Sequence, residues 1–176
     1  LQGEDGGRSW YKGMPGSRYI TGYITELLVR LPLLTKNELP EEVAAMRQKA
    51  FGYLNLQALE EYRNIRKSEK NGARITVNSE AAMTYLYLIA VSGEKVPAAN
   101  QDAYRYFLSK VGANLKDGTM SSKAQSAIIL KAVGRTAEAH EFIASLKEHL
   151  VQTDELGAYF AFQANPYNWG MLPIPA

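Results

Sequence analysis

The chain has 176 residues, with 20 Lys and Arg against 18 Asp and Glu, for a net charge of +2. That length suffices for one domain with a sizeable core, and 46% hydrophobic with 22% charged residues is ordinary for a globular protein. These values exclude a disordered tail or a collagen-like repeat, and so small a net charge argues against nucleic acid or an anionic membrane as the main partner.

There is no cysteine, which removes disulfides, thiolate metal sites and Cys nucleophiles from this stretch without fixing a compartment. The longest apolar run, Tyr85–Val91, is too short to span a bilayer. Leu1–Gly7 lacks the basic start and apolar run of a signal peptide. The sequence therefore reads as a mature protein or a piece of a larger one.

Residues 1–16 are expected to form a loop punctuated by Gly3, Gly6, Gly7, Gly13, Pro15 and Gly16 and carrying Trp10 and Tyr11. Ser17 caps a first helix whose apolar stripe is Ile20, Tyr23, Ile24, Leu27, Leu28 and Leu31, with Pro32 ending it. A second helix starts at Pro40 and carries Val43, Met46, Ala50, Tyr53, Leu54, Leu59, Tyr62 and Ile65, with a kink or split at Gly52 and Asn55. After the Asn71-Gly72 turn, Asn78 or Ser79 caps a third helix, apolar nearly all round from Ala82 to Ala90. A fourth helix runs from about Ala98 to Val111. Ser121 or Ser122 leads into a fifth, with Ala124, Ala127, Ile128, Leu130 and Val133, which Gly134 stops. Thr136 caps a sixth with Ala139, Phe142, Ile143, Leu146 and Leu150. The tail, 156–176, is aromatic and proline-rich and predicts a short strand pair or an ordered loop. Six helices on short connections predict three antiparallel αα-hairpins in an inner and an outer layer.

The glycine-rich start lacks the preceding strand and the Gly-Lys-Ser/Thr ending of a phosphate loop. His140 and His149, both placed on the sixth helix, lie nine residues apart, or about 900° of rotation, on opposite sides. They read as surface or interface residues rather than metal ligands. The adjacent carboxylates Glu41-Glu42 and Glu60-Glu61 point about 100° apart on a helix and read as solvated faces. The Arg63–Arg74 stretch reads as a solvated helix end. Trp10, Tyr11 and Trp169 are candidate sugar-stacking platforms, though loop-clamping aromatics are favoured. No Gly-x-Ser-x-Gly elbow or catalytic triad is present, and the chain is expected to show no peptidase, glycosidase or nucleotide hydrolase activity.

The segment Asp5–Ile24, with Gly6, Gly7, Trp10, Gly13, Ser17, Tyr19, Ile20, Thr21 and Tyr23 as its signature positions, resembles bacterial α2-macroglobulin-like proteins. Further resemblance lies at Ala81–Gly93, at Ala127–Leu150 with its Gly134-Arg135 step, and in the tail at Tyr159, Tyr167, Trp169 and Pro173. The resemblance implies an all-α chain forming about half of an α/α toroid, the C-terminal part of a complement-like thioester-type domain. The parent would be a secreted or periplasmic proteinase-trapping inhibitor. Its other domains, and proteinases through it, would be the partners. In thioester-bearing members a Cys-x-Glu-Gln motif lies upstream of the Gly-Gly-x-Ser-Trp stretch, and no thioester residue can be assigned here. The histidine that some members carry before the third helix has no counterpart in Asn71–Asn78. No cofactor is implied. A half toroid would expose the first-helix face at Ile20, Ile24 and Leu27 and the tail at Trp169, Met171 and Leu172, favouring a homodimer or a folded-back tail. Two other readings are a free-standing helical-repeat scaffold and a fragment of an α/α-toroid carbohydrate-active enzyme, which would need convergent carboxylates about 5–10 Å apart.

Overall fold

The computed structural model describes residues 2–155 and 157–160. Among them the chain is predominantly helical: α1 (Arg18–Thr35), α2 (Glu41–Lys70), α3 (Glu80–Ser92), α4 (Gln101–Leu108), α5 (Met120–Ala132) and α6 (Thr136–Lys147), followed by a hairpin of β1 (Leu150–Thr153) and β2 (Gly157–Phe160). The hairpin is antiparallel, with Leu150 opposite Phe160 and Thr153 opposite Gly157. The all-α expectation with a short β element holds for these residues. Within the expected tail, residue 156 and residues 161–176, Trp169 and Pro173 among them, lie outside the described residues.

α3 is the centre. Ala82, Leu86 and Leu88 have no exposed surface, and Met83, Tyr85, Tyr87 and Ile89 are also buried. A helix apolar on every side must be packed on every side. α1 and α5 flank it, α2 and α4 also pack on it, and α6 lies along α5. Phe107 and Val111 from the α4 region, Phe142 from α6 and Phe51 and Leu54 from α2 complete the core.

Local chemistry sets most boundaries. Ser17 and Ser79 cap α1 and α3, accepting from the N–H of Ile20 and Ala82. Asn71-Gly72 and Val133-Gly134 close α2 and α5 with paired backbone bonds: Ala73 N–H to Ser68 O and Gly72 N–H to Glu69 O, then Arg135 N–H to Leu130 O and Gly134 N–H to Lys131 O. This is the Schellman pattern.

Several boundaries differ from the sequence expectation. Pro32 lies inside α1, which runs one turn further, because in a last turn proline forfeits only one bond and Lys36 N–H still reaches Pro32 O. Pro40 is the cap of α2 rather than its first residue. α2 is one continuous 30-residue helix. Gly52 faces open space, and Asn55 is a tertiary post: its Oδ1 accepts from Tyr85 and its carbonyl from Asn100. The fourth helix is shorter, with 3₁₀ turns at Ala98–Asn100 and Val111–Asn114. The carbonyls that would extend it are taken: Phe107 O by the Asn78 side chain and Lys110 N–H, Leu108 O by Arg135. α5 is capped by Thr119, not Ser121 or Ser122, and Arg135, not Thr136, occupies the cap position of α6. α6 stops at Lys147, so Leu150 belongs to β1 and His149 lies beyond the helix. In α5, Ile128 faces outward while Lys123, Ser126 and Ile129 are buried.

Residues 2–16 are non-helical but tied down. Arg8 bridges both Gln2 and Ser17, Gln2 Nε2 donates to Met46 O at 2.8 Å, and the Tyr53 hydroxyl donates to Gly16 O at 2.7 Å. Gly6 sits at φ +85° against α2, where a Cβ would lie 2.2 Å from Lys49 O. Gly6→Ala should therefore destabilise the protein by about 2 kcal/mol or more, through left-handed strain and a backbone collision. Gly52→Ala, on an open helix face, should stabilise it by about 0.5–1 kcal/mol. Thermal unfolding of the two variants checks both signs.

Candidate functional site

α1 turns the less apolar of its faces inward. Thr21 and Thr25 are fully buried with Gly22 and Val29. A Cβ on Gly22 would lie 3.1 Å from the Thr84 methyl of α3, so the two helices approach closely there. Both threonines are satisfied: Thr21 Oγ1 accepts from Arg8 N–H at 2.7 Å, and Thr25 Oγ1 donates to Thr21 O at 2.6 Å.

The opposite face is left open. Tyr19, Tyr23, Leu27, Leu31 and Leu34 recur at four, four, four and three residues, a single helical stripe, and all are exposed. Trp10 extends it from the loop, stacking on Tyr19 with ring centroids 6.3 Å apart and planes 13° from parallel, and remains 62% exposed. Tyr11 and Met14 of the same loop are exposed as well. Of the apolar stripe read from the sequence, Tyr23, Leu27 and Leu31 face solvent; Ile20 and Ile24, expected on the exposed face with Leu27, are instead half-buried at its margin with Leu28. Periodicity located an apolar face but not what covers it. Trp10 does contact the helix start, as a loop-clamping aromatic would, yet on the outside.

An ion pair to α2 and hydrogen bonds to Tyr87 of α3 hold α1. Arg18 pairs with Glu61 of α2, whose other oxygen accepts from Ser79 Oγ at 2.5 Å. Glu61 is therefore not the solvated carboxylate that the sequence suggested. Arg30 pairs with Glu26 at 2.8 Å and also donates to the Tyr87 hydroxyl, which donates to Glu26 at 3.1 Å. Burial, then Glu26, pushes the Tyr87 phenol up.

The remaining signature positions serve the loop. Gly7 packs on the Tyr53 ring, Ser17 caps α1, and Gly13 turns at positive φ with nothing around it. Tyr159 lies on β2, away in sequence from the others. Trp169 and Pro173 fall outside the described residues.

Two clefts carry polar groups. One, of 340 Å³, is lined by Arg18, Gln57, Glu60, Glu61, Asn64 and Ser68 with Ile65 and Ile75. Its most buried carboxylate, Glu61, is engaged by Arg18 and Ser79. The other, of 480 Å³, lies against α5 and α6 and includes Lys123, Ser145 and His149. His140 is exposed on α6. Among the described residues no three His, Asp or Glu converge as a metal site, and no helix is long and apolar enough to cross a membrane. Elsewhere the Tyr106 hydroxyl donates to Glu69 at 2.6 Å; burial, then Glu69, raises the phenol, and that hydrogen bond holds the Glu69 carboxyl low.

Compared with known proteins, the chain matches no family model, no curated protein and no solved structure.

Burial pushes the Tyr85 phenol up to about 12, from an ordinary value of 10. The folded protein then keeps that proton while the unfolded chain loses it, so stability present below pH 10 falls as pH rises towards 12. The loss is on the order of 2 kcal/mol for this group. Denaturant unfolding across that window should show the decline, and Tyr85→Phe should make it shallower.

Proposed function

We propose that this chain is a non-catalytic structural segment of the thioester-type domain of a bacterial α2-macroglobulin-like proteinase trap, with α1 as its joint to the preceding helices. One observation carries the reading: α1 is packed on one side by α2 and α3 and presents Tyr19, Tyr23, Leu27, Leu31 and Leu34 on the other. A contiguous apolar patch of this kind on a protein surface marks an interaction site, and Tyr and Trp are the residues that dominate such interfaces.

Two further features support it. α3 packs between α1 and α5, with α2 against α1, α4 against α3 and α6 against α5, contacts compatible with helical hairpins in two layers, as half an α/α toroid would require. The resembling segment Asp5–Ile24 also divides cleanly between tasks: Gly6, Gly7, Ser17 and Thr21 fix the loop and the helix start, while Trp10, Tyr19 and Tyr23 face outward. In this reading the preceding hairpins of the parent cover the stripe. The parent entraps proteinases outside the cytosol, and this segment contributes wall rather than chemistry. A free-standing scaffold that uses the same face to bind a partner protein is the second reading. It predicts the same surface but no upstream hairpins.

Separated from its covering, the chain should self-associate through the stripe. Sedimentation velocity over a concentration series is expected to show association for the wild type. The Tyr23→Asp/Leu27→Asp double variant should be monomeric with unchanged helical content, because both side chains are exposed. A strictly monomeric wild type contradicts the joint. For the parent, a trapped proteinase should still cleave a small chromogenic peptide but not a large protein substrate. The double substitution in α1 should restore cleavage of the large one.

A further inference from the structure

The 480 Å³ cleft against α5 and α6 holds a feature that neither the core nor the α1 face uses. Lys123, in the second turn of α5, is 3% exposed. Its ammonium donates to Ser145 Oγ of α6 at 2.9 Å. Among the described residues no carboxylate lies within ion-pair distance of it. An ammonium carries three donors, so Ser145 satisfies one and two remain.

That arrangement is costly for a folded protein alone. Buried charges are ordinarily paired, because desolvating an ammonium is expensive and a neutral hydroxyl compensates only part of the loss. Lys123 nevertheless lines an open cleft between α5 and α6. The volume is that of a small-molecule site. Leu115 and Ala144 supply apolar wall, and the charged side chains of the lining balance, Lys116 and Lys123 against Glu141 and Glu148. The two glutamates disfavour a polyanion such as phosphate. The unmatched donors on Lys123 call for one oxyanion.

We propose that this cleft binds a small organic carboxylate, whose oxygens take the two remaining Lys123 N–H groups beside Ser145 Oγ. A simple carboxylic acid and an α-amino acid share that group. In the amino acid, the ammonium end would find the Glu141 and Glu148 carboxylates in the same cleft. The site is independent of the α1 joint and of any parent protein.

The test is a heteronuclear NMR titration of the full chain with acetate, glycine and inorganic phosphate at constant ionic strength, following the Lys123 ε-methylene and the Ser145 amide. Acetate or glycine should give saturable shifts at both, and the stronger of the two identifies the ligand class. Lys123→Met, which removes the first reporter, should abolish the saturable shift at the Ser145 amide. Ser145→Ala, which leaves the charge in place and is the milder change for the fold, should weaken binding several-fold. The bound ligand should also raise the wild-type melting temperature but not that of Lys123→Met. No saturable shift at Lys123 with either carboxylate, or shifts with phosphate alone, overturns the proposal.

Discussion

The helices of this molecule pack around α3, whose stretch from Ala82 to Ile89 is almost wholly buried. Because α3 is apolar all round, its neighbours must cover it completely, and its two buried phenols must each find an oxygen. Tyr85 reaches Asn55 on α2, and Tyr87 reaches Glu26 on α1. Those two bonds set where α2 and α1 lie along α3. The orientation of α1 follows: Gly22 and the threonines allow its backbone close to Thr84, whereas Tyr23 or Leu27 would not fit there. The bulky residues are thereby turned outward, and the apolar surface of α1 is a consequence of how α3 is enclosed.

The N-terminal loop stands in the same chain of dependence. It is anchored by backbone and side-chain bonds to Met46, Tyr53 and Thr21 rather than by a core of its own. Glycine at positions 6 and 7 lets it lie directly on Lys49 and Tyr53. Trp10 is carried to the top of the α1 stripe as a result, so an aromatic from the loop and a helix face act as one surface.

Much of the architecture was legible in the sequence where local chemistry decides it. Ser17, Ser79, Asn71-Gly72 and Gly134 mark helix ends because their effect is confined to a turn of backbone, and α3 declares its burial through composition alone. The failures occur where a distant partner intervenes. Asn78 and Arg135 take the carbonyls that would have lengthened α4. Asn55 looks like a helix breaker until Tyr85 and Asn100 use it. Lys123 carries no signal in the sequence; its burial and its 2.9 Å bond to Ser145 come from the packing of α6 on α5. The stripe on α1 is the instructive case: hydrophobic spacing showed that one face seeks cover, and only the packing on α3 shows which face that is and that none of the described residues covers it.

The proposed interface is the Tyr19–Tyr23 face of α1, exposed among the described residues. Hydroxyl-radical footprinting read by mass spectrometry tests it directly, comparing the chain diluted to monomer with the same residues in a longer protein of the proposed kind. The account predicts that in the monomer Trp10, Tyr19 and Tyr23 are oxidised readily while Tyr85 and Tyr87 are protected, and that all five are protected in the longer protein. Equal oxidation of Tyr19 and Tyr23 in both states would contradict it.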